Sequence, residues 1–460
     1  MAAHRAAVRQ FPLFALLVPG VTMQTTGLAS EAIGGLYEGE RLAMALEDAR
    51  RRSLAIYAHL DLARLQVPCI PIVNPPLWEL AHIAWFQEYW CLRAGRASAA
   101  SLLDDSDALF NSSTVPHESR WRLPYPPERR LRQYMEDTLD ATLAALERAA
   151  QDERYFFRLA LLHEDMHGEA LLMTLQTLAL PAPPLGAADP PRGRMPRPRD
   201  IAFAGGEFEL GTARGERAFV FDNEKWAHPV RVEPFAMSAL PVLQGEFAAF
   251  VEEGGYERRE WWSEAGWAWR AREARGAPRG WRREGGEWTL ARFDRRLPID
   301  PSAPMVHVTL HEAQAWCRWA GRRLPTEAEW EFAARNGGAA DRHPWGDHAL
   351  GDGGALDYRH AGPSSAVADP APSRSGLRLM LGGVWEWTAS PFAPYPGFAA
   401  DPYRDYSEPW FHTHQVLRGG SFATRSRLVH NRLRNFYLAG RDDAFAGFRT
   451  CAVGEGRGVS

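Results

Sequence analysis

The stretch from Pro181 to Pro198, with its Pro183-Pro184, Pro190-Pro191 and Pro196-Arg197-Pro198 runs, is too stiff and too poor in apolar side chains to join a hydrophobic core. It predicts two bodies on one chain, and 460 residues exceed what a single core usually organises. Residues from about 37 to 180 are rich in Leu and Ala at 3.6-residue spacing. That pattern predicts a four-helix bundle with helices at 40–66, 76–96, 128–151 and 153–178. Beyond residue 200, Gly and Trp rise, helical runs shorten and aromatic turns dominate, with no tandem repeat. The expectation is an α+β chain: a bundle at 37–180, a linker at 181–199 and a second domain at 200–454.

Residues 1–36 form an extension of uncertain status. The apolar run at 11–18 follows His4, Arg5 and Arg9 as in a signal peptide, but Pro12 and Pro19 interrupt it and it is short for a spanning helix. A natural start at Met23 accounts for the segment equally well. No membrane span is expected. A formal net charge of −4 argues against nucleic acid as the main partner. Cys69, Cys91, Cys317 and Cys451 are scattered without CxxC spacing, which suits a reducing, cytoplasmic compartment and gives no disulfide framework.

Within the bundle, His163-Glu164-Asp165-Met166-His167 sits between apolar runs. Two histidines four residues apart share one helix face and can grip one metal ion. Glu164 after the first histidine gives the zinc-protease pattern HExxH, yet nothing else marks a peptide cleft. A third ligand is available in Trp78-Glu79-Leu80-Ala81-His82, on a second helix entered through Asn74-Pro75-Pro76. Alone, His82 could equally be a hydrogen-bonded core histidine. Three neutral imidazoles suit Fe(II), Zn(II) or Cu and leave room for substrate and dioxygen. Glu79 and Glu169 are expected to accept imidazole N–H protons rather than bind metal, and Glu164 to lie on the helix surface or behind the ligands.

The second half carries an ordered series of landmarks: 203–211 (FAGGEFELG), 241–247 (PVLQGEF), 304–308 (PMVHV), 315–317 (AWC), 323–331 (RLPTEAEWE), 383–388 (GVWEWT), 417–421 (LRGGS) and 447–449 (GFR). Together they resemble the formylglycine-generating-enzyme-like (sulfatase-modifying-factor) domain, which implies a C-type-lectin-like fold. Physically such blocks are mostly scaffold, with Gly turning the chain, Trp and Phe filling a core and Arg pairing with Glu. Members that make formylglycine bind copper through a cysteine pair near the C-terminus. The matching stretch, residues 420–427, has no cysteine, so that activity is not expected.

A three-histidine bundle ahead of this domain resembles the ergothioneine sulfoxide synthase family, from about residue 40 to 452, and its DinB-like bundle implies Fe(II) held by His82, His163 and His167. The family joins a sulfur donor to C2 of the hercynine imidazole with O2 as oxidant. The resemblance makes Trp385, Trp387, Asn435, Phe436, Tyr437, Arg441 and Arg120 the expected substrate contacts. The chain departs from the sulfur-using members: Phe392 and Ser112-Ser113 stand near the positions of the family's tyrosines, residues 434–437 read RNFY where an acid binds a γ-glutamyl-cysteine donor, and Met166 replaces a glutamine. The sister branch, selenoneine synthase, couples hercynine to a selenosugar, and residues 116–121 and 403–411 look more like its blocks. A sugar donor needs no carboxylate partner, and Tyr406, Trp410 or Tyr437 would serve it. The selenosugar branch is therefore the preferred expectation, with a thiol donor, cysteine or γ-glutamyl-cysteine, next. A zinc hydrolase and a noncatalytic small-molecule binder are the readings from other classes.

Overall fold

The computed structural model describes residues 38–216, 218–347, 355–369 and 371–454, so the run at 11–18 and the alternative start at Met23 lie outside it. The first half is helical: α1 (Gly39–Ile56), α2 (Pro76–Gln87), a short α3 (Ser106–Phe110), α4 (Glu128–Arg148) and α5 (Tyr155–Thr177). Pro76 opens α2 at a position where its missing N–H costs no hydrogen bond. A π-helical turn, Glu88–Leu92, extends α2. The chain then breaks at Ala94 and Gly95, both at positive φ, short of the expected end at 96. Buried residues are spread around α5, because it packs on α1, on α2 and on the second half.

α1 stops at Ile56, well before residue 66. Tyr57 is fully buried with its hydroxyl on the Leu171 carbonyl, and Ala58 and Leu60 close tight turns onto Ala55 and Tyr57. The Leu60, Leu62 and Leu65 that prolonged the helical spacing are carried by turns leading to Pro68, where the residue before proline avoids helix. No helix among the described residues is long and apolar enough to cross a membrane.

The second half is built from short strands, short helices and long loops. One sheet orders Asp200–Phe203, Phe235–Ser238, Cys451–Ala452 and Arg322–Arg323; another orders Asn435–Tyr437, Gln415–Arg418, Trp385–Pro391 and Ala446–Phe448. In the latter, Leu417 pairs with Asn435 on one side and Trp387 on the other. Strand alternation puts Trp385 and Trp387 on one face and Glu386 and Thr388 on the other. The Arg and Glu residues of the landmarks pair in the interior: Arg418 with Glu331 at 2.5 Å, Arg449 with Glu386 at 2.9 Å and Arg434 with Glu327 at 3.0 Å.

The proline-rich segment is not a free tether. Pro183 is buried, Leu185 and Ala187 pack against the core, the Gly193 N–H donates to Ser302, and the Pro191 carbonyl accepts from Ser365. Extended proline backbone leaves its carbonyls unpaired, and the second half supplies the donors. The two halves also meet along α5. Glu169 accepts from Trp385 (2.9 Å), Ser421 (2.6 Å) and Thr424 (2.6 Å), and Arg427 forks onto Asp165 at 2.6 and 2.7 Å.

Candidate active site

α2 and α5 cross so that His82 faces His163 and His167, and one ligand atom from each lies within 4.8 Å of the others. Helical spacing brings the two α5 rings to 4.5 Å between centroids, and the His82 ring is 5.3 and 5.0 Å from them. His82 Nδ1 is 2.8 Å from the Phe110 carbonyl, so its proton is held there and Nε2 is left as the lone-pair atom. His167 Nδ1 is held the same way by Glu79, at 2.9 Å. His163 lies against Phe86, stacked at 3.5 Å, and its buried Nδ1 has no hydrogen-bond partner.

Burial pushes the pKa of His82 and His163 well below the usual value, with the neighbouring His167 adding to the effect, so both are neutral imidazoles. Three facing imidazoles, two of them oriented through Nδ1 and one of these backed by a carboxylate, are a donor set that suits Fe(II), Zn(II) or Cu. The residues therefore fit a bound transition-metal ion.

The acids on the motif are committed elsewhere. Glu79 is the carboxylate expected behind a ligand. Glu169 instead reaches Trp385, Ser421 and Thr424 across the seam, because at two residues past His167 it projects from a different side of α5. Glu164 is buried rather than on the helix surface, and its two oxygens accept from Arg50 of α1 at 2.9 and 3.2 Å. It is not free to act as the base of a zinc protease.

Three phenols from the second half reach the same stretch of α5. The Tyr403 ring is 6.3 Å from His163 and 4.9 Å from Phe86. The Tyr406 hydroxyl donates to the Met166 sulfur at 3.7 Å. Tyr437 lies beside Glu169 and Asn435, with Arg441 5.0 Å from its ring, and burial pushes its pKa up to about 12. Burial likewise raises Tyr403 and Tyr406, so all three keep their protons at neutral pH. Tyr403 was missed in the sequence. The Tyr403/Tyr406 doublet brackets a 3₁₀ turn, Arg404–Tyr406, and that spacing was the available signal.

The other expected contacts fall in different places. Asn435 and Phe436 continue the Tyr437 strand, with Phe436 stacked on Phe392 at 4.1 Å. Phe392 itself is fully buried. Arg441 makes a bidentate pair with Asp443, at 2.5 and 2.6 Å. Arg120 stands behind His82: it lies 4.0 Å over the Trp78 ring, which stacks on His82, and donates to Asn74 and to the Ser112 and Val115 carbonyls. Trp385 is buried, with its indole N–H on Glu169. Trp387 is fully buried, with its indole on the Val308 carbonyl, inside the sheet packing. Trp410 is largely exposed and donates to the Asp405 carbonyl.

Comparison with known proteins matches residues 45–176 to the DinB superfamily and residues 187–453 to the sulfatase-modifying factor enzyme 1-like domain. The chain is 37% identical over 425 residues to a protein named hercynine oxygenase from Mycolicibacterium thermoresistibile, covering 89% of this chain and 94% of that one. It is 38% identical to the protein of the same name from Mycobacterium tuberculosis, covering 89% of this chain and 98% of that one. The chain belongs to the hercynine oxygenase family. A formylglycine-generating enzyme from Streptomyces coelicolor is 36% identical over 295 residues, 56% of this chain and 89% of its own length, which reflects the second domain. The histidine cluster of this hercynine oxygenase family member lies in the first matched domain, against the second.

Proposed function

We propose that this chain is a nonheme Fe(II), O2-dependent enzyme that joins a chalcogen donor to C2 of the imidazole of hercynine, with a selenosugar as the preferred donor. The observation that carries the reading is the cluster of three facing imidazoles, two of them oriented through Nδ1, on a bundle whose seam with the second domain is lined by phenols. His82, His163 and His167 would hold the iron, which when bound supplies the electron-transfer chemistry that lets dioxygen oxidise the two substrates.

The remaining roles fall to the chain's own groups. Phe110 and Glu79 keep His82 and His167 in fixed tautomers. Asn435, Phe436 and Tyr437, with Trp385 behind Glu169, enclose hercynine: aromatic faces for its trimethylammonium, polar donors for its carboxylate. Tyr403 and Tyr406 supply phenolic protons, a capacity that Phe392 and Ser112-Ser113 lack.

The preference for a selenosugar then rests on residues 437 and 441 rather than on a missing phenol. Tyr437 stands where an acid would pair the ammonium of γ-glutamyl-cysteine, and Arg441 is already engaged by Asp443. A buried unpaired ammonium costs on the order of a few kcal/mol, or roughly two orders of magnitude in selectivity. A sulfur donor is the second reading, favoured by the phenols at 403 and 406 and by the relatives named hercynine oxygenase.

The test is anaerobic reconstitution with Fe(II), hercynine and an equimolar mixture of selenosugar, cysteine and γ-glutamyl-cysteine, followed by oxygen and mass spectrometry. A product in which the selenium of the selenosugar is bonded to C2 of hercynine is expected as the main one. A predominant carbon–sulfur product would move the chain to the sulfur branch, and consumption of none of the three donors would overturn the activity.

A further inference from the structure

A second cavity, of about 420 Å³ and lined by none of the three histidines, opens between α1, residues 184–187, residues 357–359 and the loop at 425–427. Six arginines line it against two aspartates, Asp48 and Asp357. Arg425 pairs with Asp48 and approaches Asp165 and Asp357, at 3.7 and 3.5 Å, and Arg427 bonds Asp48 and Asp165. Asp48 is shared by Arg51, Arg425 and Arg427, Asp165 by Arg425 and Arg427, and Asp357 faces Arg425. Among the described residues Arg52 has no carboxylate in hydrogen-bond contact, and its guanidinium donates to the Asp357 carbonyl at 3.3 Å. Burial and the charge of Arg425 lower its pKa to about 10. It stays protonated at neutral pH.

A recess of ligand size with clustered guanidinium groups is suited to an anion with several oxygens, since each planar fork can donate two parallel N–H bonds. The floor includes Ala45, Ala55, Leu185 and Tyr358, which gives an apolar surface beside the charge.

We propose that this cavity binds a small phosphate-bearing organic anion, held by Arg52 together with Arg51 and Arg425. The site is independent of the donor question and of the metal. Its walls come from both halves of the chain, so an occupant bridges the seam and stabilises the folded protein. The 425–427 loop follows Ser421 and Thr424, which hold Glu169 two residues from His167.

The experiment uses the full chain and inorganic pyrophosphate as probe, followed by isothermal titration and thermal unfolding, with sulfate at matched ionic strength as control. Saturable binding in the micromolar range and a higher Tm are expected. Arg52→Gln should weaken binding about tenfold or more, the loss of one charged hydrogen-bonding group. Arg64→Gln, at an exposed position outside the cavity, should bind as the parent does. Binding only at millimolar concentrations, equal stabilisation by sulfate, or unchanged affinity in a folded Arg52→Gln protein would overturn the proposal. If Arg52→Gln fails to fold, Arg51→Gln decides by the same criteria, because that side chain is largely exposed and its pair with Asp48 is a surface contact.

Discussion

The bundle and the second domain position their buried polar groups by opposite means. In the bundle, regular helix geometry does most of the work: His163 and His167 come together because they are one turn apart, and His82 meets them because α2 packs on α5. In the second domain, loops and short strands are held by buried ion pairs, Arg418–Glu331 and Arg449–Glu386 among them, whose side chains are almost wholly removed from water. A helix fixes side-chain direction through its own hydrogen bonds. A loop-rich body needs long-range polar contacts to reach the same precision, and each becomes costly to break.

The largest effects should come from the histidines. His82→Ala, His163→Ala and His167→Ala are each expected to abolish iron binding and turnover while the far-UV circular dichroism stays that of the parent. Stoichiometric iron in any of them would remove that residue from the ligand set. Next comes the ion-pair framework. Arg418→Met removes the partner of Glu331 Oε2 while Arg335 and the Gly211 N–H still hold Oε1, and should cost about 2–3 kcal/mol in denaturant unfolding. A loss below about 1 kcal/mol would show that the second domain does not depend on its pairs in the way the comparison requires.

Glu79→Gln tests the one place among the described residues where a carboxylate holds a histidine of the cluster. Its contact with His167 should be worth ten- to a hundredfold in metal affinity, read by competition with a chelator. Glu164→Ala should leave the affinity near the parent's, since its oxygens are held by Arg50, although the unpaired Arg50 should lower stability.

A further effect, spread gradually over pH, is in the pH dependence of stability. Glu224 is fully buried, neither carboxylate oxygen has a hydrogen bond, and desolvation raises its pKa to about 8; burial raises Glu312 to about 7. A raised folded-state pKa contributes stability that is complete below the unfolded value and is lost as pH rises through the folded one. From about pH 5 up to its own folded-state pKa, about 8 for Glu224 and about 7 for Glu312, each such group should cost up to about 1.4 kcal/mol per pH unit. Glu224→Gln should therefore gain on the parent steadily over that window in urea midpoints. A parallel pair of pH curves would contradict the assignment.

Much of this architecture was legible in the sequence where a regular period carried it. The i, i+4 histidines, the Pro75-Pro76 entry to α2 and the four long helices all follow from spacing. The end of α1 did not, because the burial of Tyr57 overrides a helical pattern that continues to Leu65. Nor did the direction of Glu169, since only the packed second domain shows that Trp385, Ser421 and Thr424 wait for it. Tyr403 was obscured for the same reason: a loop residue has no period, and its ring reaches His163 from across the seam.

Metal titration followed by hercynine tests the central claim most directly, that the bundle holds the ion and the second domain presents the substrate to it. Cobalt(II) loaded anaerobically into the full chain should bind one per chain, and hercynine alone should perturb its visible spectrum. Asn435→Ala should keep the cobalt but weaken the hercynine response. Cobalt retained after His82, His163 and His167 are all replaced by alanine, or a parent spectrum indifferent to saturating hercynine, would contradict it.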